Sequence, residues 1–110
     1  MTQADKPGAL EGLIARMPLN TVQPYLKGIN ALLQLRATGA APEEWILTIK
    51  ESMVDAEKGA TPKPNLSMEA TSAVWESLVS GKLDGTWAYM SGQLHISGDL
   101  GLAMRLQSLI

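Results

Sequence analysis

Residues 81–110, GKLDGTWAYMSGQLHISGDLGLAMRLQSLI, decide the fold of this chain. A strand pattern at 93–97 is bounded by glycines, and an apolar helix pattern follows from Leu100. At about 100° per residue, one narrow polar arc of that helix collects Gly101, Arg105 and Ser108. The apolar residues cover about twice the roughly 100° stripe of an ordinary surface helix. A single packing face cannot bury all of that apolar surface. The protein core, a partner protein or an apolar ligand therefore has to cover the remainder.

Gln107 falls inside the apolar arc of the terminal helix, close to Leu100, Ala103 and Met104. A buried amide without partners costs roughly 1–3 kcal/mol. We therefore expect its side chain to bond to backbone, to water or to the polar end of a ligand.

Upstream of this segment the apolar residues alternate with period two in several short stretches, which predicts strands. These stretches are 29–38, 44–51, 53–57 and 65–70. The strand at 93–97 brings the number of predicted strands to five. In the first, the predicted outward face carries Gln34 and Arg36.

Helical spacing predicts a helix from Ala9 to Pro18, a second after Thr71 or Ser72, and a third at 85–90. Asn20 is expected to cap a short turn that Pro24 interrupts. The order α–β–β–β–β–α–α–β–α predicts an α+β fold, with a five-stranded, mostly antiparallel sheet and the helices packed on one face.

Length and composition bound the class of protein. A chain of 110 residues forms one domain; we expect a flexible N-terminus at 1–8 and a single domain at 9–110. The absence of cysteine excludes disulfides and thiolate sites, and it fits a reducing compartment. The net charge of −2 comes without a basic block, so nucleic acid is not an expected partner. The chain has no apolar signal core and no membrane-length apolar run, so a cytoplasmic protein is expected.

The sequence offers no catalytic, metal or cofactor constellation. His95 is the only histidine, and its phase in the strand points it away from Leu94 and Ile96. Asp84 and Asp99 are isolated and are interpreted as helix caps. The glycines after residue 90 match neither a phosphate-binding loop nor a dinucleotide fingerprint. We therefore expect a protein that is not an enzyme, without metal or cofactor.

Three motifs carry a family resemblance: LVSGKL at 78–83, AYMSGQL at 88–94 and SGDLGLAMRL at 97–106. Together they resemble the C-terminal signature of sterol carrier protein 2 domains, the nonspecific lipid-transfer proteins. Residues 28–35 and 45–49 are similar to the first two strands of that family. The resemblance extends over about residues 9–110, so the chain resembles a small bacterial stand-alone member.

This resemblance implies a sterol-carrier-protein-like fold with a hydrophobic tunnel between sheet and helices. It also implies non-catalytic binding or transfer of a fatty acid, a fatty acyl-CoA, a sterol-like molecule or an isoprenoid. The tunnel-lining role carries over to Leu78, Leu83, Trp87, Met90, Leu94, Ile96, Leu100, Ala103, Met104 and Leu106. Gln107 occupies a position where the family often has a glutamine, and a polar ligand contact is expected there.

The chain departs from the family in its N-terminal helix, which is short and broken at Pro18 and Pro24. This weakens a membrane-docking role for that helix, and a transient membrane contact is the most we expect of it. The alternative function is a structural module, in which the apolar terminal helix forms a homodimer or docks to a lipid-metabolising enzyme. A third interpretation is an accessory to an enzyme, in which the chain presents an apolar substrate to a separate catalyst.

Overall fold

A sheet with helices on one face forms the described part of the chain. The computed structural model describes residues 8–106, which form five strands and four α-helices. The predicted element order and the α+β class are confirmed. Residues 1–7 of the N-terminal segment predicted at 1–8 lie outside the described residues, and so does Gln107.

The strands pair in the order β3-β2-β1-β4-β5. Their bounds are β1 Ala31–Thr38, β2 Glu43–Lys50, β3 Met53–Lys58, β4 Leu66–Thr71 and β5 His95–Gly98. Within the described residues β1 and β4 run parallel, and the other neighbouring pairs are antiparallel. The prediction of a mostly antiparallel sheet is therefore confirmed. The parallel pair arises because the chain leaves the edge strand β3 and returns beside the central strand β1.

Asn65 fixes the point at which β4 joins β1. Its Oδ1 accepts a hydrogen bond from the Leu32 N–H at 2.8 Å, and its own N–H donates to the Leu32 oxygen at 2.8 Å. The parallel register then follows, with Leu33 opposite Leu66 and Leu35 opposite Met68.

The helices are short, and three of them are capped by the side chain of their own N-cap residue. Their bounds are α1 Ala9–Ala15, α2 Ser72–Val79, α3 Gly85–Met90 and α4 Leu100–Arg105. Thr71, Asp84 and Asp99 accept hydrogen bonds from the first turns of α2, α3 and α4 at 3.2, 3.0 and 3.0 Å. Each such cap is worth about 1 kcal/mol.

The expected turn at Asn20 is different in the structure. Asn20 adopts a φ of 55°, and its N–H donates to the Val54 oxygen at 2.8 Å instead of starting a helix. The 3-10 turn spans Pro24–Leu26, with Gln23 as its N-cap. Pro24 therefore begins the turn and does not interrupt it, because proline has its φ already set and needs no N–H partner in a first turn.

The core lies between the inner face of the sheet and α1 and α2. Trp75 of α2 is 1% exposed, and its Nε1 donates to the Arg36 oxygen at 2.9 Å. Leu33 and Leu35 of β1 and Leu10 of α1 are fully buried. Burial of each such side chain contributes about 1.5–3 kcal/mol. This packing fixes α1 and α2 over the central strands.

Candidate ligand-binding cavity

A cavity of about 910 Å³ lies between the sheet and the helices. Its floor is formed by Leu33, Leu66, Met68 and Ile96. Leu33 pairs with Leu66, and Met68 pairs with Ile96, so these four side chains share one face of three adjacent strands. The strand registers therefore supply a continuous apolar floor.

All four helices contribute to the walls of the cavity. Their apolar wall residues, with those of the adjoining loops, are Leu13, Met17, Trp75, Leu78, Val79, Leu83, Tyr89, Met90, Leu94, Leu100, Ala103, Met104 and Leu106. Because α1 packs on α2 and β1 whereas α4 packs on β4, the walls come from both halves of the chain.

The wide apolar arc of α4 divides between the core and the cavity. Leu102 is buried outside the cavity wall at 8% exposure, whereas Leu100, Met104 and Leu106 line the cavity. Of these three, Leu106 is buried at 1% exposure, and Leu100 and Met104 stay exposed. The second side of the helix therefore faces the cavity mouth. Asp99 orients α4 by capping it directly after β5.

The most exposed wall residues mark the mouth of the cavity. Met90 of α3 is 72% exposed and Met104 of α4 is 71% exposed. Leu100 and Tyr89, on the same two helices, are exposed as well. The rim of the cavity is therefore apolar and lies on α3 and α4.

Arg16 supplies positive charge at the wall. Of the described wall residues it is the only cation. Its Nη1 donates to the Val79 oxygen at 3.2 Å, at the end of α2. A guanidinium has five N–H donors, so this bond leaves most of them available. The remaining polar wall includes Asp84, whose Oδ2 accepts the Trp87 N–H, and Thr86.

Nine residues predicted from the family resemblance lie on the cavity wall. They are Leu78, Leu83, Met90, Leu94, Ile96, Leu100, Ala103, Met104 and Leu106. Their part in ligand binding stays a prediction.

Trp87, which the resemblance also predicts as a tunnel residue, lies outside the wall and is 59% exposed. The reason is the orientation of α3, which buries Ala88 completely and turns Tyr89 and Met90 to the cavity. Trp87 therefore stands on the outer side of that helix. Gln107 lies beyond the described residues, so its predicted ligand contact stays a prediction.

Several wall residues were not predicted, although their patterns were visible. Leu13 and Met17 belong to the apolar stripe of α1, and Leu33, Leu66 and Met68 occupy inward positions of their strands. Each pattern indicates a buried face, but none distinguishes a packed core from a cavity wall. No sequence pattern predicted that Arg16 lies on the wall, because its position depends on contact with Val79 of α2, far along the chain.

The wall chemistry suits the holding of a hydrocarbon. Within residues 8–106 the wall contains no histidine, and its hydroxyl groups are those of Thr86 and Tyr89. The same residues include no group of three histidine, cysteine or carboxylate side chains arranged to hold a metal ion. His95 is exposed and pairs in register with Glu69.

In the described part of the chain, no helix has both the length and the apolar character to cross a bilayer.

The α+β fold and its apolar cavity define a class of small ligand-holding domains. The chain belongs to the SCP-2 sterol transfer family, whose family model matches residues 10–110. The predicted family is therefore confirmed, whereas a bacterial origin stays a prediction.

The chain is similar to curated and solved members of the family. It is 30% identical over 86 residues to hydroxysteroid dehydrogenase-like protein 2 of Xenopus laevis, covering 77% of this chain and 21% of that protein. The chain thus spans about a fifth of that relative, so a stand-alone protein stays a prediction.

Two solved structures come from Aedes aegypti. The crystal structure of sterol carrier protein 2-like 2 has a TM-score of 0.71 and 25% identity, with 93% of this chain and 96% of that chain covered. The solution structure of the palmitated form has a TM-score of 0.69 and 25% identity, with 88% and 89% covered.

Proposed function

We propose that this protein binds one acyl-chain lipid in the cavity and carries it without chemical change. The observation that supports this most directly is the apolar cavity of about 910 Å³ between sheet and helices. Its size falls within the roughly 300–1,000 Å³ of small-molecule sites. Leucine, isoleucine and methionine side chains form most of its wall, which suits a hydrocarbon chain.

The head group of the ligand is a carboxylate, and Arg16 binds it. Arg16 is the cation of the described wall, and its planar guanidinium matches the two oxygens of a carboxylate. Its bond to the Val79 oxygen holds the guanidinium at the end of α2. The palmitated Aedes aegypti relative supports a fatty acid as the cargo class.

The methionines of the wall favour tolerance of different acyl chains. Met68 lies on the floor, and Met90 and Met104 lie on the rim. Methionine is flexible and polarizable, so it adapts to ligands of different shape. Chain length and branching therefore affect affinity less than the head group does.

The experiment compares palmitate with methyl palmitate by titration calorimetry, since the ester keeps the chain and removes the charge. Arg16→Gln is expected to weaken palmitate binding about tenfold, which corresponds to about 1.4 kcal/mol. Methyl palmitate binding stays unchanged in that variant. Arg36→Gln is the matched control, because Arg36 pairs with Glu44 and Glu69 away from the cavity.

Two results would contradict this function. One is a purified protein that takes up neither palmitate nor methyl palmitate at micromolar concentrations. The other is that wild type and Arg16→Gln bind palmitate equally well and also bind methyl palmitate equally well. This would show that Arg16 does not bind the head group and that the cavity is only an apolar site. Thermal unfolding of each variant shows whether loss of the bond to Val79 alters the fold.

A further inference from the structure

Arg16 follows α1 directly, so the position of α1 decides where its side chain reaches the cavity. It is the C-cap residue of that helix, and its exposed side chain lies on the wall. The bond from its Nη1 to the Val79 oxygen, at 3.2 Å, anchors the guanidinium at one point. A two-bond contact with a carboxylate needs the binding group held within about 0.5 Å. The backbone that carries Arg16 therefore has to be fixed as well.

Apolar burial alone does not fix α1 along its axis. The helix has 7 residues, and isolated helices shorter than about 12–15 residues are marginal in water. Leu10 and Ile14 bury its inner face. Because apolar burial is non-directional, these two side chains define the buried face but leave the helix free to shift by small distances. Directional bonds are needed to set its position.

Glu43 of β2 supplies those directional bonds. Its Oε1 accepts the Leu10 N–H and its Oε2 accepts the Glu11 N–H, both at 3.0 Å. Trp45 Nε1 donates to Oε2 at 3.3 Å, which fixes the carboxylate in turn. Two bonds from one carboxylate to consecutive amides resist both sliding and rotation of the first turn of the helix.

Glu43 makes these bonds from outside the ligand cavity. It borders a second groove, together with Arg36 and Gly59, and is not among the wall residues of the cavity. At a rise of about 1.5 Å per residue, Arg16 lies about 9 Å further along the helix axis than Leu10. Glu43 therefore reaches the head-group contact through the placement of α1.

Gly8 makes room for the carboxylate of Glu43. A Cβ added at Gly8 would clash with that carboxylate, although the φ of −68° at Gly8 suits any residue. The lack of a side chain at Gly8 therefore serves the contact with Glu43 and not an unusual backbone conformation.

We propose that Glu43 is a positioning residue for the head group of the ligand: it fixes α1 so that Arg16 meets both oxygens of a carboxylate. The inference rests on the proposed function, because it needs a carboxylate ligand that Arg16 binds. The sign of the effect distinguishes it from electrostatics. Removal of the negative charge of Glu43 would by itself strengthen the binding of an anion, whereas loss of positioning weakens it.

The experiment titrates palmitate and methyl palmitate into the wild type, Glu43→Gln and Gly8→Ala by calorimetry. Gly8→Ala keeps the charge of Glu43 but displaces its carboxylate, so it separates position from charge. Both variants are expected to bind palmitate about three- to tenfold more weakly than the wild type does. Methyl palmitate affinity is expected to stay unchanged, because the ester does not need the guanidinium.

Each variant has a matched control. Glu44→Gln removes the neighbouring carboxylate of β2, which pairs with Arg36. Gly12→Ala adds a methyl group inside α1, where nothing lies within 4 Å of it. Both controls are expected to bind palmitate with wild-type affinity. Thermal unfolding shows whether each variant is folded at the temperature of the titration, and Gly8→Ala decides if Glu43→Gln is not.

A double variant tests whether Glu43 acts through Arg16. Once Arg16 is replaced by Gln, Glu43→Gln is expected to cause no further loss of palmitate affinity. A full additional loss in the double variant would overturn the proposal. So would equal weakening of palmitate and methyl palmitate in Glu43→Gln, which would indicate a merely structural role, or tighter palmitate binding in that variant.

The single variants separate this proposal from the proposed function. Weaker palmitate binding by Arg16→Gln, with wild-type binding by Glu43→Gln and Gly8→Ala, would refute the positioning role and leave the proposed function standing. Wild-type palmitate binding by Arg16→Gln would refute the head-group contact and the positioning role with it.

Discussion

Glu43 of β2 holds the first turn of α1 through the backbone of Leu10. Its Oε1 accepts the Leu10 N–H at 3.0 Å, and its Oε2 accepts the Glu11 N–H at 3.0 Å. Trp45 Nε1 donates to the same Oε2 at 3.3 Å and orients the carboxylate. Gly8 precedes the helix and has no side chain to cap it. A residue 33 positions away therefore positions α1, which in turn positions Leu13, Arg16 and Met17 at the cavity.

Glu43→Gln is expected to lower the free energy of unfolding by about 1–2 kcal/mol. An amide keeps one acceptor and turns its NH₂ toward a helical N–H, so one of the two bonds is lost. Urea unfolding followed by circular dichroism measures the change. Glu44→Gln is the matched control: it pairs with Arg36 across the sheet surface, and its loss is expected to cost under about 1 kcal/mol. Equal losses in the two variants would contradict the capping role.

Gln34 is a buried amide on the outer face of the sheet, at 4% exposure. Its Nε2 donates to the oxygens of Trp45 and Gly59, both at 3.1 Å, and its Oε1 accepts the Thr61 N–H at 2.7 Å. Gln34→Leu keeps the volume but leaves these groups unpaired, at a cost of about 2–3 kcal/mol. Urea unfolding measures the loss of stability, and hydrogen exchange measures the protection of the Thr61 amide. Gln23→Leu is the control at a less buried site. Unchanged protection of the Thr61 amide would contradict this account.

Local interactions were predictable from the sequence. Asp84 and Asp99 were interpreted as caps and Thr71 as a candidate cap, and all three cap helices in the structure. A cap joins residues three positions apart, so its signal lies within one short window. The two strands of the hairpin between β2 and β3 were also predicted. Glu51 and Ser52 form its turn with φ of 53° and 63°, without the usual Asn-Gly pair.

Contacts between distant segments were not predictable. The alternation in β1 placed Gln34 on the outward face, yet the loop after β3 covers it and supplies two of its partners, the Gly59 oxygen and the Thr61 N–H. The Glu43 cap joins two elements that no pattern connects. Trp87 was assigned to the tunnel from a family motif, but the rotation of α3 depends on how Ala88 packs, which a motif does not state. Tertiary packing therefore decided these positions.

Gly98 and Gly12 are expected to respond to alanine with opposite signs. Gly98 has a φ of +102°, and an added Cβ would clash with the Asn65 backbone oxygen, where β5 meets β4. Gly98→Ala is therefore expected to cost about 3 kcal/mol or more. Gly12 lies inside α1 with nothing within 4 Å of an added Cβ, so Gly12→Ala is expected to stabilise by about 0.5–1 kcal/mol. Urea unfolding measures the free energy of unfolding of both variants. A destabilised Gly12→Ala would show that neighbouring atoms leave no room for a methyl group at Gly12.

Oxidation is expected to act first on the methionines of the cavity rim. Met90 and Met104 are more than 70% exposed, whereas Met17 is 8% exposed. Mild peroxide should therefore convert the two rim residues to sulfoxides well before Met17, as peptide mass spectrometry will show. A sulfoxide makes the rim polar, so palmitate affinity is expected to fall several-fold. The control is the Met90→Leu, Met104→Leu double variant, which keeps an apolar rim without sulfur. If peroxide weakened palmitate binding equally in that variant, the loss would come from another residue, and the rim would not govern entry of the ligand.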